Sequence, residues 1–334
     1  MTIENIDIKV IVTQIFILFL LAAVGFIAAK TKHLPEETGL IIAKLVIRLT
    51  MPMTILSKML GTSFDGQDYI DGVKLYILAI VFLSLSLGVS ILVTTPLKIE
   101  ETTKNIYKIQ SMFGNVMFFA FPLFLVLFGE KGIVYALFFN MGNDTFLWTI
   151  GIYLANKHKE GNFKSNFKHL LNINTIAFGL GIILMLTGFS PWIATVSNPV
   201  INMGYGVFFE TIKMIGSATS PLSMIFIGMI LAKSNVHELF DIKKKYPLFL
   251  LSIQKLIFVP IIAICFLYFT RAWFSDLVIM IAILQIAMPA GTTTASIAAD
   301  AGSDYMYATE GIFLTTVLCL ITLPLVAYLL KTVF

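Results

Sequence analysis

The sequence predicts an all-α integral membrane protein of ten transmembrane helices, arranged as two five-helix repeats of inverted topology. Three observations carry that prediction. Apolar residues make up 58% of the chain and charged residues 13%, with a mean hydropathy of +0.91. A soluble domain carries about twice that charge. Apolar runs near the 20 residues that span a bilayer recur along the whole chain. Two of these runs are interrupted at comparable places in the two halves, the first at Gly114-Asn115-Val116 with Pro122 beyond it, the second at Met288-Pro289-Ala290-Gly291-Thr292-Thr293-Thr294.

In chain order, helix 1 is expected over 10–29. The acidic opening Met1–Asp7 lacks the positive start of a cleavable signal, so this run stays in the membrane. Helix 2 covers 39–60 and sets Lys44, Arg48 and Pro52 on one face, a pattern that fits orientation by snorkelling cations. Helix 3 follows at 73–93, helix 4 with the first break at 106–128, and helix 5 with a polar cluster at 133–155. The second half repeats the count at 173–189, 206–231, 246–270, 276–299 and 305–330, the second break falling in helix 9. The division is therefore a first repeat over 1–155, a Lys-rich linker over 156–171 and a second repeat over 172–334.

Short internal matches support a repeat. Leu49-Thr50-Met51-Pro52 lies over Thr219-Ser220-Pro221, and Tyr135-Ala136 lies over Tyr307-Ala308 at a similar offset. Five helices per half is an odd number, so the second half enters from the opposite side. Orientation follows from Lys and Arg in the short loops. One set of loops holds thirteen of them, including Lys30, Lys98, Lys104, Lys157, Lys164 and Lys243. The other holds five: Lys9, Lys74, Lys131, Arg271 and Lys331. The richer side reads as cytoplasmic, with the 156–171 linker on it and both termini on the other side.

Breaks of this kind point to the substrate site of a secondary transporter, because freed N–H and C=O groups survive in a membrane only where protein or a polar cavity receives them. Asn115, Val116, Pro289, Gly291 and Thr292 are the candidate substrate residues, joined by Asn140. The N-terminal end of a half-helix suits a carboxylate. The alternative is that Pro and Gly only kink two packed helices. Asp144 is the deepest ionisable residue, with Asn143 beside it and Asn140 one turn away on the same face. It reads as a group for a coupling Na+ or H+, or as an internal hydrogen-bond partner. Lys255 reads as an anion attractor, a partner for a carboxylate or a snorkelling cation. Glu310 reads as a gating, protonation or interfacial group. Pro52, Pro122 and Pro221 are the candidate hinge and scaffold positions.

Other classes fit poorly. His237-Glu238 lacks the second histidine of a zinc helix, and no phosphate-binding Gly-x-x-x-x-Gly-Lys loop is present. Cys265 and Cys319 sit in apolar runs and read as small core residues, and the four histidines lie in or beside basic loops and read as solvated. No catalytic pair, metal site, cofactor or nucleic-acid partner is expected.

Val24-Gly25-Phe26-Ile27-Ala28-Ala29-Lys30 through Leu49-Thr50-Met51-Pro52 resembles the start of the auxin efflux carrier family, which includes plant PIN carriers and bacterial malate-permease-like proteins. Gly114-Asn115 with Phe121-Pro122-Leu123 and Phe128-Gly129-Glu130, Ser220-Pro221-Leu222 with Gly228-Met229-Ile230, and Ala287-Met288-Pro289 with Thr322-Leu323-Pro324 are similar to later stretches of it. The resemblance implies that helices 4 and 9 cross at their breaks. It implies a scaffold of helices 1, 2, 6 and 7 and a transport bundle of helices 3–5 and 8–10. It also implies an elevator-type carrier of organic anions in the plasma membrane, often a homodimer. Asn115 matches a crossover asparagine of the family, whereas Ala287-Met288-Pro289 lacks its counterpart and Arg48 replaces a position often held by asparagine. A sodium-coupled bile-acid-type symporter, an anion channel and a membrane sensor are the competing readings.

Overall fold

The computed structural model describes residues 8–32, 34–35, 37–62, 64–158, 173–232 and 242–334. Past residue 158 the predicted linker lies outside the described residues, as do His33, His169, His237 and Lys233.

Among the described residues the fold is helical, and its only extended pairing is an isolated bridge between Gly114 and Ala290. The helices are α1 (Ile8–Lys30), α2 (Thr38–Leu60), α3 (Gly66–Thr94), α4 (Glu101–Met112), α5 (Ala120–Asn156), α6 (Ile173–Leu186), α7 (Phe189–Thr195), α8 (Pro199–Leu231), α9 (Lys245–Phe269), α10 (Asp276–Ile286), α11 (Thr293–Asp300) and α12 (Tyr305–Val333). Seven of them are long and apolar enough to cross a membrane, and α6 and α10 are shorter apolar helices. Every stretch expected to span is occupied by helix, interrupted where the two breaks are expected, with one difference between helices 4 and 5. Expected helix 4 is split into α4 and the start of α5, and expected helix 9 into α10 and α11. The four-residue gap expected between helices 4 and 5 is absent: the helix breaks only at Gly129, whose φ of 67° and ψ of −160° are open to glycine alone at little cost.

Local chemistry explains where the helices begin. Asp65 accepts from the Asp68 N–H while Asp68 accepts from the Asp65 N–H, a reciprocal cap that starts α3 seven residues earlier than hydropathy alone indicates. Asn198 caps α8 ahead of Pro199, and Asp304 caps α12 through the Tyr307 N–H. Three five-residue π turns, Val46–Thr50, Leu147–Gly151 and Gln254–Phe258, lie inside α2, α5 and α9.

The surface shows which solvent this fold expects. Phe16, Leu20, Leu92, Val200, Met214, Phe269 and Ile321 are all exposed. Asn105, Gln110, Asn115, Asn140, Gln254, Lys255 and Gln285 are buried. A water-soluble domain inverts that arrangement; lipid accepts it, provided the interior satisfies the polar groups. Cys319 is buried, but Cys265 is exposed on the apolar face of α9 and is not a core residue as expected.

α1 packs on the second half of α8, so closely that a Cβ on Gly25 or Gly228 would strike the opposing backbone at Ile225 or Ala22. α2 packs on α6 and the first half of α8. The segments that carry the prolines matched in the sequence come together here. Near Pro52 and Pro221, Thr219 Oγ1 donates to Thr50 Oγ1 at 2.8 Å and lies 2.8 Å from Thr54 Oγ1, while Thr54 donates to the Gly216 carbonyl at 2.8 Å. α7 packs on α6 and α8, and the remaining helices form a second packed group, α3 against α4, α5 and α10, and α12 against α9 and α11.

Candidate functional site

The two breaks meet. The Asn115 N–H donates to the Pro289 carbonyl at 2.7 Å, and the Gly291 N–H donates to the Phe113 carbonyl at 3.0 Å. These two bonds form the Gly114–Ala290 antiparallel bridge and satisfy backbone that neither helix can satisfy internally. The Thr315 hydroxyl of α12 accepts from the Ala290 N–H at 3.0 Å, which ties the bridge to the last helix. Gly291 is required by this approach: a Cβ there would lie 2.9 Å from the Gly114 carbonyl oxygen.

A cavity of about 470 Å³ lies against the bridge. Gly114–Phe118 and Gly291–Thr293 form its inner wall, Asn140, Asn143 and Asp144 of α5 one side, and Ile47 and Met51 of α2 with Asn174 of α6 the facing side. It therefore lies between the two packed groups. Asn156, Asp300 and Ala301 stand at one end. At the far end of the fold, Lys58 of α2 donates to Glu130 beside the Gly129 break at 2.9 Å, joining one group to the other.

The cavity wall carries polar atoms that the protein leaves unsatisfied. Asn115 and Thr292 are both only 3% exposed, and Asn115 Nδ2 and Thr292 Oγ1 have no hydrogen-bond partner within the protein. The same holds for Asn140 Oδ1 and Asn143 Oδ1. Buried polar atoms without partners are costly, and their clustering on one cavity marks a place where something polar binds. Two helices, α5 and α11, also begin at the bridge, so the positive ends of two helix dipoles converge on the cavity. Asp144 is half-buried and faces it, held by Asn140 Nδ2 at 3.3 Å.

The sequence candidates thus separate. Asn115, Val116, Gly291, Thr292, Asn140, Asn143 and Asp144 line one cavity. Pro289 does not line it; its carbonyl holds the bridge. Lys255 neither snorkels nor meets a carboxylate. It is 1% exposed, and its ammonium donates to the Ser111 and Met112 carbonyls behind the break. Glu310 lies outside the cavity, paired with Lys245 at 2.5 Å in a separate pocket with Thr103 and Asp304. Pro122 sits in a small pocket under the Lys58–Glu130 pair. Sequence reasoning missed Asp300 and Asn174. Asp300 carried a usable signal, an acidic residue at the C-terminal end of a helix, where the dipole disfavours it. Among the described residues no cluster of His, Cys, Asp and Glu is arranged to hold a metal ion.

Residues 10–327 match the model of a family described as membrane transport proteins. The chain belongs to that family. The match bears out the resemblance to the auxin efflux carriers, which are members of it. Two archaeal relatives in the family are uncharacterised transporters. The chain is 26% identical to one from Methanocaldococcus jannaschii over 222 residues, 65% of this chain and 68% of the relative. It is 24% identical to one from Methanothermobacter thermautotrophicus over 308 residues, 91% of this chain and 93% of the relative. As a member of the membrane transport family with several apolar helices, the protein is a multi-pass membrane transporter and not an enzyme.

Proposed function

We propose that this protein is a secondary carrier of a small organic anion, most simply a carboxylate, bound in the cavity beside the paired breaks. The observation that carries the reading is the convergence on one cavity of two helix N-termini and the unpaired donors Asn115 Nδ2 and Thr292 Oγ1. Helix N-termini and free donors are what a carboxylate needs, and neither requires a fixed cation. A cavity of about 470 Å³ is of the size that holds a small molecule.

Asp144 supplies the coupling. An anion in the same cavity as an ionised carboxylate is repelled, so binding is favoured when Asp144 takes up H+ or holds Na+. The Asn140 and Asn143 carbonyl oxygens on the same helix suit Na+ as additional ligands.

The Thr219–Thr50 hydrogen bond joins matched positions of the two halves, and the Gly114–Ala290 bridge joins the two breaks, which supports the inverted-repeat reading. The group built from α1, α2, α6 and α8 is then the scaffold, and the group carrying the bridge moves past it as an elevator. With the Lys-rich loops in the cytoplasm of a plasma-membrane protein, the Asn156–Asp300 end of the cavity faces inward and the Lys58–Glu130 pair closes the outer side. A homodimer is the expected assembly.

The test is a melting screen of detergent-purified protein with mono- and dicarboxylates, indole acids and amino acids, each with and without Na+ and at two pH values. A ligand of the folded state raises the melting temperature by mass action. A carboxylate that does so, and fails to do so in Asn115→Ala, supports the site. A cooperative transition that no anion moves refutes the anion reading.

A further inference from the structure

The polar node behind the bridge has no part in the cavity, yet it holds a fully buried cation. Lys255 Nζ donates to the Ser111 carbonyl at 3.1 Å and to the Met112 carbonyl at 3.4 Å. These are the last two residues of α4, immediately before the chain unwinds. Its neighbour Gln254 donates to Ser111 Oγ at 2.5 Å and to the Ser86 carbonyl at 3.3 Å, and accepts from the Tyr107 hydroxyl at 2.8 Å. Ser86 Oγ closes the node by donating to the Ser111 carbonyl at 2.8 Å. The wide turn Gln254–Phe258 lets two successive side chains reach the same neighbour, which a regular helix sets about 100° apart.

Two features of the node bear on its chemistry. Two backbone carbonyl oxygens face the ammonium, the buried Cys319 thiol is close enough to interact with it electrostatically, and no carboxylate lies within 4 Å of Lys255 among the described residues. Such oxygens at the C-terminal end of a broken half-helix are the ligand type that coordinates Na+ in carriers with broken helices. The positive charge there also opposes the negative end of the α4 dipole.

We propose that the Lys255 ammonium occupies an alkali-cation site at the end of α4 as a covalently tethered cation, so that truncating Lys255 creates a Na+ site where the native protein has none. The consequence for transport rests on the carrier reading above: no Na+ is needed at this node, and any ion coupling passes through Asp144. The test does not rest on that reading, because no substrate is present.

Full-length wild type, Lys255→Ala and Lys255→Met are purified and melted in NaCl and in choline chloride at equal ionic strength, with NaCl titrated. In Lys255→Ala the oxygens remain and the space opens, so Na+ raises its melting temperature saturably above any response of wild type. The rise is about 3 °C at roughly ten times the dissociation constant. Lys255→Met fills the same space without charge, so it melts lower than wild type and gains no added Na+ response. The proposal is overturned if Lys255→Ala responds to Na+ no more than wild type, if Lys255→Met responds as Lys255→Ala does, or if Lys255→Ala cannot be recovered folded in either salt.

Discussion

Replacing Gly291 by alanine tests whether the paired breaks are a rigid element. An added Cβ would lie 2.9 Å from the Gly114 carbonyl oxygen, 3.3 Å from its carbon and 3.5 Å from the Phe113 oxygen. All three are backbone atoms, so no side chain can swing away. Gly291 does not occupy the left-handed region, so the cost is steric rather than conformational. Relief requires the two segments to part by about half an ångström, which stretches the Gly291–Phe113 and Asn115–Pro289 bonds. Overpacking costs about 1–3 kcal/mol and a weakened buried hydrogen bond about 1 kcal/mol more, for a total near 2–4 kcal/mol. Gly114→Ala is the control. Its Cβ would meet the Met288 Cβ at 3.2 Å and the Gln285 oxygen at 3.5 Å, and the entropy lost from the unfolded chain returns about 0.4–1 kcal/mol. At about 2–4 °C per kcal/mol, Gly291→Ala melts about 4–16 °C below wild type, and Gly114→Ala within about 2 °C of it. Equal shifts for the two variants would refute the reasoning.

Three further outcomes are expected. Asn115→Ala removes a side chain that makes no hydrogen bond within the protein, so melting without ligand stays within about 2 °C while anion affinity falls about 10–100-fold; titration of both proteins with one carboxylate measures this, and lost stability with unchanged affinity would make Asn115 structural. Asp144→Asn removes the charge that opposes the anion, so binding persists but no longer varies with Na+ or pH, as a titration series across both variables records. Glu310→Gln breaks a half-buried ion pair outside the cavity, so the melting temperature falls while carboxylate affinity stays within about twofold.

Much of this was legible in the sequence because it is written in residue types with strong local consequences. Gly, Pro and Asn interrupt apolar helices, and both breaks fell where Gly114-Asn115 and Pro289-Ala290-Gly291 announced them. Asn140 and Asp144 are one helical turn apart, so their shared face followed from spacing. What stayed hidden depends on distant partners or on one-residue changes of phase. Lys255 meets Ser111 across 144 positions, through a π turn that no hydropathy pattern marks. Glu310 is neutralised by Lys245 across 65 positions. The Asp65–Asp68 cap carries α3 beyond its apolar run, into a stretch whose charges read as loop.

Uptake by purified protein in liposomes tests the central claim most directly. The carboxylate that shifts melting is supplied outside, with wild type and Asn115→Ala reconstituted in parallel. Saturable uptake by wild type that falls with the Asn115→Ala affinity is the predicted result. Absence of saturable anion movement in folded wild-type protein, or uptake unchanged in Asn115→Ala, would contradict the assignment of an anion site to the paired breaks.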